Sequence, residues 1–230
     1  ANEDEIIRIV QLAKARKVAI IPYGNGSGVL GGAIPLGGEI MVDTRRLDKI
    51  VSINPTDAVV TVQAGMNGAD FERQLNEAGY TSGHLPQSIE ISTVGGWLAC
   101  RGGGQLSSRY GKIEDIVVGL KAVLPDGAPL EVRPVARRSV GPSIRDLMVG
   151  SEGTLGLITE ATLRIFKKPA VERGVVLAFP SLQAALDTAR LIMQAELRPS
   201  IVRLYDRVES DERTKDIPLF KTKPFLAVLQ

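Results

Sequence analysis

The stretch Pro22-Tyr23-Gly24-Asn25-Gly26-Ser27-Gly28-Val29-Leu30-Gly31-Gly32 places five glycines within nine residues. Glycine reaches backbone conformations with φ above 0° and lets the chain approach a ligand closely. A short apolar run at residues 18–21 comes directly before it and predicts a buried strand that leads into a loop. The stretch therefore predicts a loop whose backbone N–H groups face a ligand that is flat, anionic or both.

A second glycine-rich segment has the same character and begins about seventy residues further along. It reads Ser92-Thr93-Val94-Gly95-Gly96-Trp97-Leu98-Ala99-Cys100-Arg101-Gly102-Gly103-Gly104. Its backbone N–H groups are likewise expected to face a ligand. Two such loops in one domain indicate a large cofactor that is touched at several points, rather than a single phosphate group.

The first loop matches the pattern G-x-G-x-x-G at Gly26, Gly28 and Gly31. In a dinucleotide-binding (Rossmann) site, a helix begins at the third glycine and directs its N-terminus at the pyrophosphate. Residues 32–38 read Gly-Ala-Ile-Pro-Leu-Gly-Gly and cannot form that helix, so a Rossmann site is rejected. A P-loop fails because no G-K-[ST] follows. The remaining interpretation is an anion nest, in which successive N–H groups of a turn surround a pyrophosphate without a helix.

Composition and charge narrow the class of protein. The chain has 230 residues, of which 44% are hydrophobic and 23% are charged, as is typical of a globular protein. Lys and Arg total 28 and Asp and Glu total 26, and the resulting net charge of +2 does not favour nucleic acid as a partner. No apolar run approaches the length of a membrane span.

The chain contains one cysteine and one histidine. Cys100 alone allows no intrachain disulfide, which favours a reducing environment and a cytoplasmic (intracellular) location. His84 alone supports no metal site. The chain opens at Ala1 directly into a helical pattern and ends at Gln230 in a strand-like run, so we expect a piece of a longer enzyme.

Apolar periodicity predicts an α+β chain with a change of organisation near Pro169. Asn2 and Glu5 have the spacing of a capping box at the start of a first helix. From Pro169 onward the pattern follows a β-α-β order. We therefore predict one domain at residues 1–170 and the truncated beginning of a second at residues 171–230.

The stretch at residues 209–223 is rich in polar and charged residues. It is therefore predicted to be a surface loop.

Segments in a fixed order resemble the PCMH-type FAD-binding domain, also called the vanillyl-alcohol oxidase type. They are the first loop, the run Gly83-His84-Leu85-Pro86-Gln87-Ser88-Ile89-Glu90-Ile91-Ser92-Thr93-Val94-Gly95-Gly96-Trp97, and residues 110–117 and 150–159. The resemblance implies a two-subdomain FAD-binding fold, followed by the beginning of an α/β cap domain that holds the substrate. The cofactor that it implies is FAD.

The run at residues 83–97 also resembles the alkylglycerone-phosphate synthase (alkyl-dihydroxyacetonephosphate synthase) family. Flavin enzymes that act on lactate or glycolate usually carry an asparagine at the position of Trp97. The first loop departs from the family, whose usual Gly-Gly-Gly-Thr-Ser is replaced by Gly24-Asn25-Gly26-Ser27-Gly28. This change alters the hydroxyl donors and keeps the reach of the backbone.

The resemblance implies a set of FAD contacts and one residue for activity. The implied contacts are Pro22, Tyr23, Gly24, Asn25, Gly26, Ser27, Gly28, Gln87, Ser88, Ile89, Glu90, Ile91, Ser92, Thr93, Gly95, Gly96, Cys100, Arg101, Gly102, Gly103, Glu152, Gly153, Thr154, Leu155, Gly156, Leu157 and Ile158. Arg203 matches an arginine that is important for activity in the family, and it is expected to pair with a substrate phosphate. The family's catalytic tyrosine and its histidine-rich segment fall beyond Gln230, so this chain alone is expected to show no turnover.

Three functions stay open at this point. The resemblance implies an FAD-dependent enzyme that exchanges the acyl chain of acyl-dihydroxyacetone phosphate for a fatty alcohol in ether-lipid synthesis. The alternative is an FAD-linked oxidase or dehydrogenase of a 2-hydroxy acid, and the third is a binding module without catalysis. The expected partner is a small-molecule or lipid-like phosphate substrate, with no nucleic acid, and a homodimer is compatible with the sequence.

Overall fold

The computed structural model describes residues 2–216 and 225–229, which form two compact units. The first unit contains the residues up to 104 together with residues 111–168. The second contains residues 105–110 together with the described residues from 169 onward. Helices and strands alternate without one regular repeat, and the predicted α+β class is confirmed.

Helices and strands of the described residues follow one another along the chain in a mixed order. They begin with α1 (Glu3–Arg16), β1 (Ile20–Tyr23), β2 (Ile40–Asp43), β3 (Ile50–Asn54), β4 (Val59–Gln63), α2 (Gly68–Glu77), β5 (Tyr80–Thr81), a 3₁₀ turn (Ile89–Ile91), α3 (Val94–Ala99) and α4 (Ser107–Tyr110). They continue with α5 (Ile113–Ile116), β6 (Val117–Val123), β7 (Pro129–Val132), α6 (Ile144–Met148), β8 (Leu157–Arg164), β9 (Phe166–Lys167), β10 (Val175–Phe179), α7 (Leu182–Gln194), β11 (Val202–Tyr205), α8 (Arg207–Thr214) and β12 (Phe225–Leu229).

A five-stranded antiparallel sheet organises the first unit, in the order β3-β4-β8-β6-β7. In β4 the side chains of Val60 and Val62 are fully buried and their neighbours are half-buried, which is the alternation expected of a pleated strand. Phe71 of α2 and Trp97 of α3 pack into the same core, and the two aromatic rings lie 6.2 Å apart. The sheet therefore fixes the positions of α2 and α3.

A smaller parallel pair, β1 and β2, lies beside α1. The predicted capping box of α1 is confirmed: Asn2 accepts a hydrogen bond from Glu5 N at 2.9 Å, and the Glu5 carboxylate accepts from Asn2 N. Because β1 and β2 are parallel, their carboxyl ends meet at the same edge. There Thr44 donates from its N and its Oγ1 to the carbonyl of Tyr23, at 2.9 and 3.1 Å. This edge is where the first glycine loop begins.

The second unit contains a three-stranded antiparallel sheet in the order β10-β12-β11, with α7 against it. Ser181 caps α7 by accepting a hydrogen bond from Ala184 N at 3.2 Å. Arg203, the residue predicted for activity, lies on β11. Residues 105–110 form an excursion, a short segment that groups with the second unit although its neighbours in sequence belong to the first. In it, the Arg109 guanidinium donates to the carbonyl of Arg198 at 3.2 Å. This contact is one reason why the excursion groups with the second unit.

The predicted loop at residues 209–223 is wrong in its first part, because residues 207–214 form α8. Asp206 caps this helix by accepting from Glu209 N at 2.8 Å, and Arg213 pairs with Glu209 one turn apart at 2.8 Å. Such i,i+4 ion pairs support a helix that has no apolar stripe. Residues 217–223 of that predicted loop lie outside the described residues.

In the part of the chain that the structure describes, no helix combines the length and the apolar character that crossing a membrane requires.

We expect Asn67→Ala to lower the free energy of unfolding by about 1–2 kcal/mol, because Asn67 is the N-cap of α2. Its Oδ1 accepts from Ala69 N and Asp70 N at 2.9 and 3.2 Å, and its Nδ2 donates to the carbonyl of Glu90 at 2.9 Å. Asn67→Ser keeps the cap and loses only the contact with Glu90, so urea unfolding should place it between the wild type and the alanine variant. Equal losses for both variants would show that the cap contributes nothing.

Candidate cofactor site

Segments that are distant in sequence meet at one pocket of the first unit, a cavity of about 70 Å³ that is partly open to solvent. The pocket is formed by the end of β1, the first turn of α3 and the segment that leads into β8. Its lining residues are Pro22, Tyr23, Gly24, Thr44, Ala64, Thr93, Gly95, Gly96, Ala99, Ser151, Gly153, Gly156, Leu157 and Ile158. Ten of these belong to the predicted cofactor contacts, so the structure brings together members of the first loop and of the segments at residues 83–97 and 150–159. None of the lining residues comes from residues 100–103 or 110–117.

Glycines allow the segments to approach one another at this pocket. A Cβ at Gly24 would collide with the hydroxyl of Thr93. The first loop and the second segment therefore lie in contact at this point. Gly153 has φ of +84°, and a Cβ there would lie 2.8 Å from Cγ of Pro22, which joins the third segment to the first loop. A side chain at Gly24 or Gly153 would therefore separate the walls of the pocket.

The first loop keeps unpaired backbone donors. Across the described ranges 2–216 and 225–229, the backbone N–H groups of residues 25–28 donate to no protein acceptor. Gly26 has φ of +65° and lies against the Tyr23 ring, where a Cβ would come within 2.9 Å of the hydroxyl. Successive free N–H groups near a left-handed residue are the elements of an anion nest.

The second segment differs from the expectation, because residues 94–99 form α3 instead of an open loop. The N–H groups of Val94 and Gly95 donate to the carbonyls of Met66 and Ala64 at 3.0 and 2.7 Å, and that of Gly96 donates to Thr93 Oγ1 at 3.3 Å. The expectation that these three N–H groups face a ligand is therefore wrong. A contact between this segment and a cofactor through other atoms stays a prediction.

The third segment, at residues 150–159, donates hydrogen bonds to the last carbonyls of α3. Gly150 N and Glu152 N donate to the carbonyls of Leu98 and Ala99 at 2.8 and 3.1 Å, because the last carbonyls of a helix lack partners within it. Glu152 itself has φ of +48° and an exposed side chain. Ser151 between them lines the pocket, and its Oγ is buried with no hydrogen-bond partner in the described structure. A buried unpaired hydroxyl at a pocket wall indicates a polar ligand group.

Cys100 lies at the end of α3 and is exposed. Partial burial of the thiol, and then the negative charge of Glu152, raise the pKa of Cys100 above its ordinary value. A raised pKa lowers the thiolate fraction at neutral pH, so neither effect activates Cys100 as a nucleophile.

His84 is fully buried in the first unit, with its ring 4.8 Å from the ring of Trp97. Neither ring nitrogen has a hydrogen-bond partner among the residues that the structure describes. Burial, with the charge of Lys112 acting in the same direction and that of Glu114 opposing it, lowers the pKa of His84 to about 4. His84 is therefore neutral near pH 7.

Several predicted contacts do not line the pocket, and their role toward a cofactor stays a prediction. They are Asn25, Gly26, Ser27, Gly28, Gln87, Ser88, Ile89, Glu90, Ile91, Ser92, Cys100, Arg101, Gly102, Gly103, Glu152, Thr154 and Leu155. Arg101 is tied to Glu114 by an ion pair of 3.2 Å. Arg203 is half-buried on β11 of the second unit.

Four residues of the pocket were missed by sequence reasoning: Thr44, Ala64, Ala99 and Ser151. A signal existed for Thr44, because it follows β2 directly and the carboxyl ends of parallel strands form binding edges. Ser151 stood inside the recognised segment at residues 150–159. Ala64 and Ala99 carry no chemical signal, and only the packing of α3 on β4 places them at the pocket.

Two curated proteins similar to this chain carry the names of enzymes or enzyme subunits. It is 37% identical over 212 residues to alkyldihydroxyacetonephosphate synthase of Dictyostelium discoideum, an alignment that covers 91% of this chain and 34% of that protein. It is 31% identical over 207 residues to glycolate oxidase subunit GlcD of Bacillus subtilis, covering 90% of this chain and 44% of that protein. The chain thus spans between a third and a half of the length of these relatives.

A solved structure of an alkyldihydroxyacetonephosphate synthase matches this chain with a TM-score of 0.89 at 31% sequence identity. The match covers 98% of this chain and 44% of that one. The arrangement of helices and strands is therefore shared with that structure over nearly the whole chain.

The buried, neutral His84 makes stability depend on pH. An exposed histidine titrates near 6.5, so between that pH and about 4 the unfolded chain binds a proton that the folded chain excludes. This contribution to stability is complete above the window and is lost as pH falls through it, by on the order of 3 kcal/mol. We expect the free energy of unfolding, measured with urea, to fall less in His84→Gln than in the wild type when the pH is lowered from neutral to about 4. Identical losses would contradict this assignment.

Two family models match this chain, and one of them covers two of the segments that line the pocket. The model described as "FAD binding domain" matches residues 1–133, more than half of the chain, and the model described as "FAD linked oxidases, C-terminal domain" matches residues 168–225. The first match contains the glycine loop and α3, which form two of the walls. The cofactor indicated by both matches is FAD, and the chain belongs to the FAD binding domain family.

Proposed function

We propose that this chain is the flavin-binding part of an enzyme of the alkyldihydroxyacetonephosphate synthase type. Such an enzyme would exchange the acyl chain of acyl-dihydroxyacetone phosphate for a fatty alcohol in ether-lipid synthesis. The observation that carries the proposal is the meeting of residues 22–24, 93–96 and 151–158 at one pocket. These are the segments whose order and residues resemble that family.

The pocket residues, together with the first loop that continues from Gly24, fit FAD. The free N–H groups of residues 25–28 are suited to a pyrophosphate, which carries negative charge and many acceptor oxygens. The buried and unpaired Ser151 Oγ offers a hydrogen bond to a polar edge. Backbone and small side chains at Gly24, Gly96 and Gly153 leave room for a flat ring. We propose that these residues hold the cofactor.

The proposed reaction involves no net oxidation. The ester-bound acyl group leaves as a fatty acid, and the oxygen of the fatty alcohol takes its place on dihydroxyacetone phosphate. Bound FAD would supply a ring that accepts and returns electrons, while the protein supplies position and electrostatics. Arg203 is proposed to bind the substrate phosphate, because a guanidinium binds phosphate through two parallel hydrogen bonds.

A second candidate is an FAD-linked oxidation of a 2-hydroxy acid such as lactate or glycolate. The similarity to glycolate oxidase subunit GlcD supports it, at lower identity than the similarity to the synthase. In the sequence, Trp97 distinguishes the synthase type from the lactate and glycolate enzymes, but its position in the structure weakens that distinction. Its indole Nε1 donates to Ser92 Oγ at 2.8 Å, and the residue is buried against Gly68 and outside the pocket lining. The third candidate, a binding module without catalysis, is supported by no feature of the pocket.

The proposal extends to partner and location. The substrate would be a small-molecule or lipid-like phosphate. The balanced charge gives nucleic acid no role, and a homodimer and a cytoplasmic site of action complete the proposal.

We expect the chain to bind FAD saturably, and Gly28→Val to weaken this binding at least about tenfold, because the added side chain obstructs the nest and displaces its hydrogen bonds. A Cβ at Gly28 meets no atom within 4 Å, so the variant should fold like the wild type. Ala19→Val adds the same kind of bulk at an exposed position before β1 and serves as the matched control. Flavin fluorescence titration measures the affinities, and circular dichroism verifies folding.

Absence of FAD binding by the folded wild type would contradict the proposed cofactor site. Unchanged affinity in Gly28→Val would contradict the nest. The substrate is decided on the full-length enzyme. Ether product formed from acyl-dihydroxyacetone phosphate and a fatty alcohol supports the synthase, whereas loss of flavin absorbance on addition of lactate or glycolate supports the 2-hydroxy-acid enzyme.

A further inference from the structure

Glu72 is a charged residue of α2 that is only 9% exposed. Its carboxylate accepts hydrogen bonds from Thr81 Oγ1, from Ser82 Oγ at 2.7 Å, from Ser82 N at 3.1 Å and from Asn76 Nδ2 at 3.2 Å. A buried carboxylate requires such partners because its desolvation is costly. Three of the four donors belong to residues 81 and 82, so the carboxylate holds that segment against α2.

The same hydroxyl groups fix the next two residues. Each hydroxyl gives its single proton to Glu72, so each oxygen presents lone pairs to the chain that follows. Thr81 Oγ1 accepts from Gly83 N at 3.0 Å, and Ser82 Oγ accepts from His84 N at 3.1 Å. Two consecutive turns of the Ser/Thr type therefore run from Glu72 to the backbone of His84.

His84 in turn supports the segment at residues 100–104. A Cβ at Gly104 would lie 3.2 Å from His84 Nδ1, and one at Gly102 would lie 3.9 Å from His84 Nε2. The imidazole thus fills the space that these two glycines leave, with the edge of its ring against Trp97 of α3. A shift of His84 would be transmitted directly to residues 102–104, because a packed interior leaves little free volume.

We propose that Glu72 and Ser82 are positioning residues for the segment at residues 100–104, and that they act on it through His84. The consequence for FAD rests on the proposed function, in which residues 100–103 are cofactor contacts. The action on the segment itself is independent of the cofactor. None of the residues of the relay lines the pocket, so their effect on FAD would be indirect.

Cys100 allows the segment to be observed without any cofactor. It is the only cysteine of the chain, it is exposed, and it lies at the start of the segment. The thiol is exposed but still partly desolvated, so its rate of reaction with a thiol reagent reports how far the segment shifts from its packed position. The charged group that acts on its pKa is Glu152, which none of the variants below alters.

The experiment compares Ser82→Ala with Ser82→Thr and with Thr162→Val. Ser82→Ala removes the hydroxyl between Glu72 and His84, whereas Ser82→Thr keeps it. Thr162→Val is the matched control, since it removes a buried hydroxyl pair with Thr61 at 3.0 Å on the sheet and leaves residues 81–84 unchanged. Glu72→Gln tests the same relay from its other end and replaces Ser82→Ala if that variant does not fold.

We expect Ser82→Ala and Glu72→Gln to raise the rate of Cys100 labelling by about fivefold or more in folded protein, as the loss of a buried hydrogen bond allows. Ser82→Thr should restore the wild-type rate, and Thr162→Val should leave it unchanged despite a similar loss of stability. An unchanged rate in folded Ser82→Ala or Glu72→Gln would overturn the proposal. So would an equal rise in Thr162→Val, since the effect would then be general destabilisation.

FAD titration of the same variants separates this proposal from the proposed function. If the wild type binds FAD, the Ser82→Ala affinity should fall by about fivefold while that of Thr162→Val stays unchanged. If the wild type binds no FAD, the cofactor assignment fails, and the labelling rates still decide whether Glu72 and Ser82 position the segment. Wild-type affinity in Ser82→Ala, together with faster labelling, would overturn the link to the cofactor.

Discussion

The hydrogen bond from Gly95 N to the carbonyl of Ala64, at 2.7 Å, is the contact on which the candidate site depends. It ties the first turn of α3 to the end of β4, and the neighbouring bond from Val94 N to the carbonyl of Met66 continues the attachment. A Cβ at Gly95 would lie 2.7 Å from Cβ of Ala64 and 2.8 Å from its oxygen. Only glycine permits this distance, so α3 is fixed on the sheet by the chain itself before any ligand is present.

The other walls of the pocket follow from the position of α3. Thr93, its N-cap, closes against Gly24 of the first loop. Its carboxyl end accepts from the amides of Gly150 and Glu152, which sets the segment that carries Ser151. That segment leads into β8, which pairs with β4 and so returns to the strand from which α3 is held. The walls of the pocket are therefore joined by backbone hydrogen bonds and by glycines that lie close to neighbouring side chains.

The sequence predicted the local features of this arrangement better than the distant ones. The capping box of Asn2 and Glu5 and the glycine loop are local patterns, and both could be read from residue spacing. The family resemblance adds FAD as the cofactor and the segments that carry its predicted contacts. Their meeting at one pocket depends on pairing between β4 and β8, about one hundred residues apart, which no local pattern encodes. The contact of Gly95 with a cofactor stays a prediction, whereas its approach to Ala64 is visible only in the structure. A sequence does not distinguish a glycine that approaches a ligand from one that approaches its own chain.

The two glycine-rich segments differ in how their backbone N–H groups are used. The N–H groups of residues 94–96 all donate to acceptors that fix α3, whereas those of residues 25–28 donate to no acceptor in the described part of the chain. The pocket lining also contains no charged side chain. The first loop continues from the pocket residue Gly24, and an anionic group bound at that loop would be stabilised by its backbone dipoles. The attraction of dipoles falls off more steeply with distance than that of a charge, so it acts only once the anion lies within the loop. Recognition then depends on the geometry of that loop, and the walls built around α3 hold the loop in place.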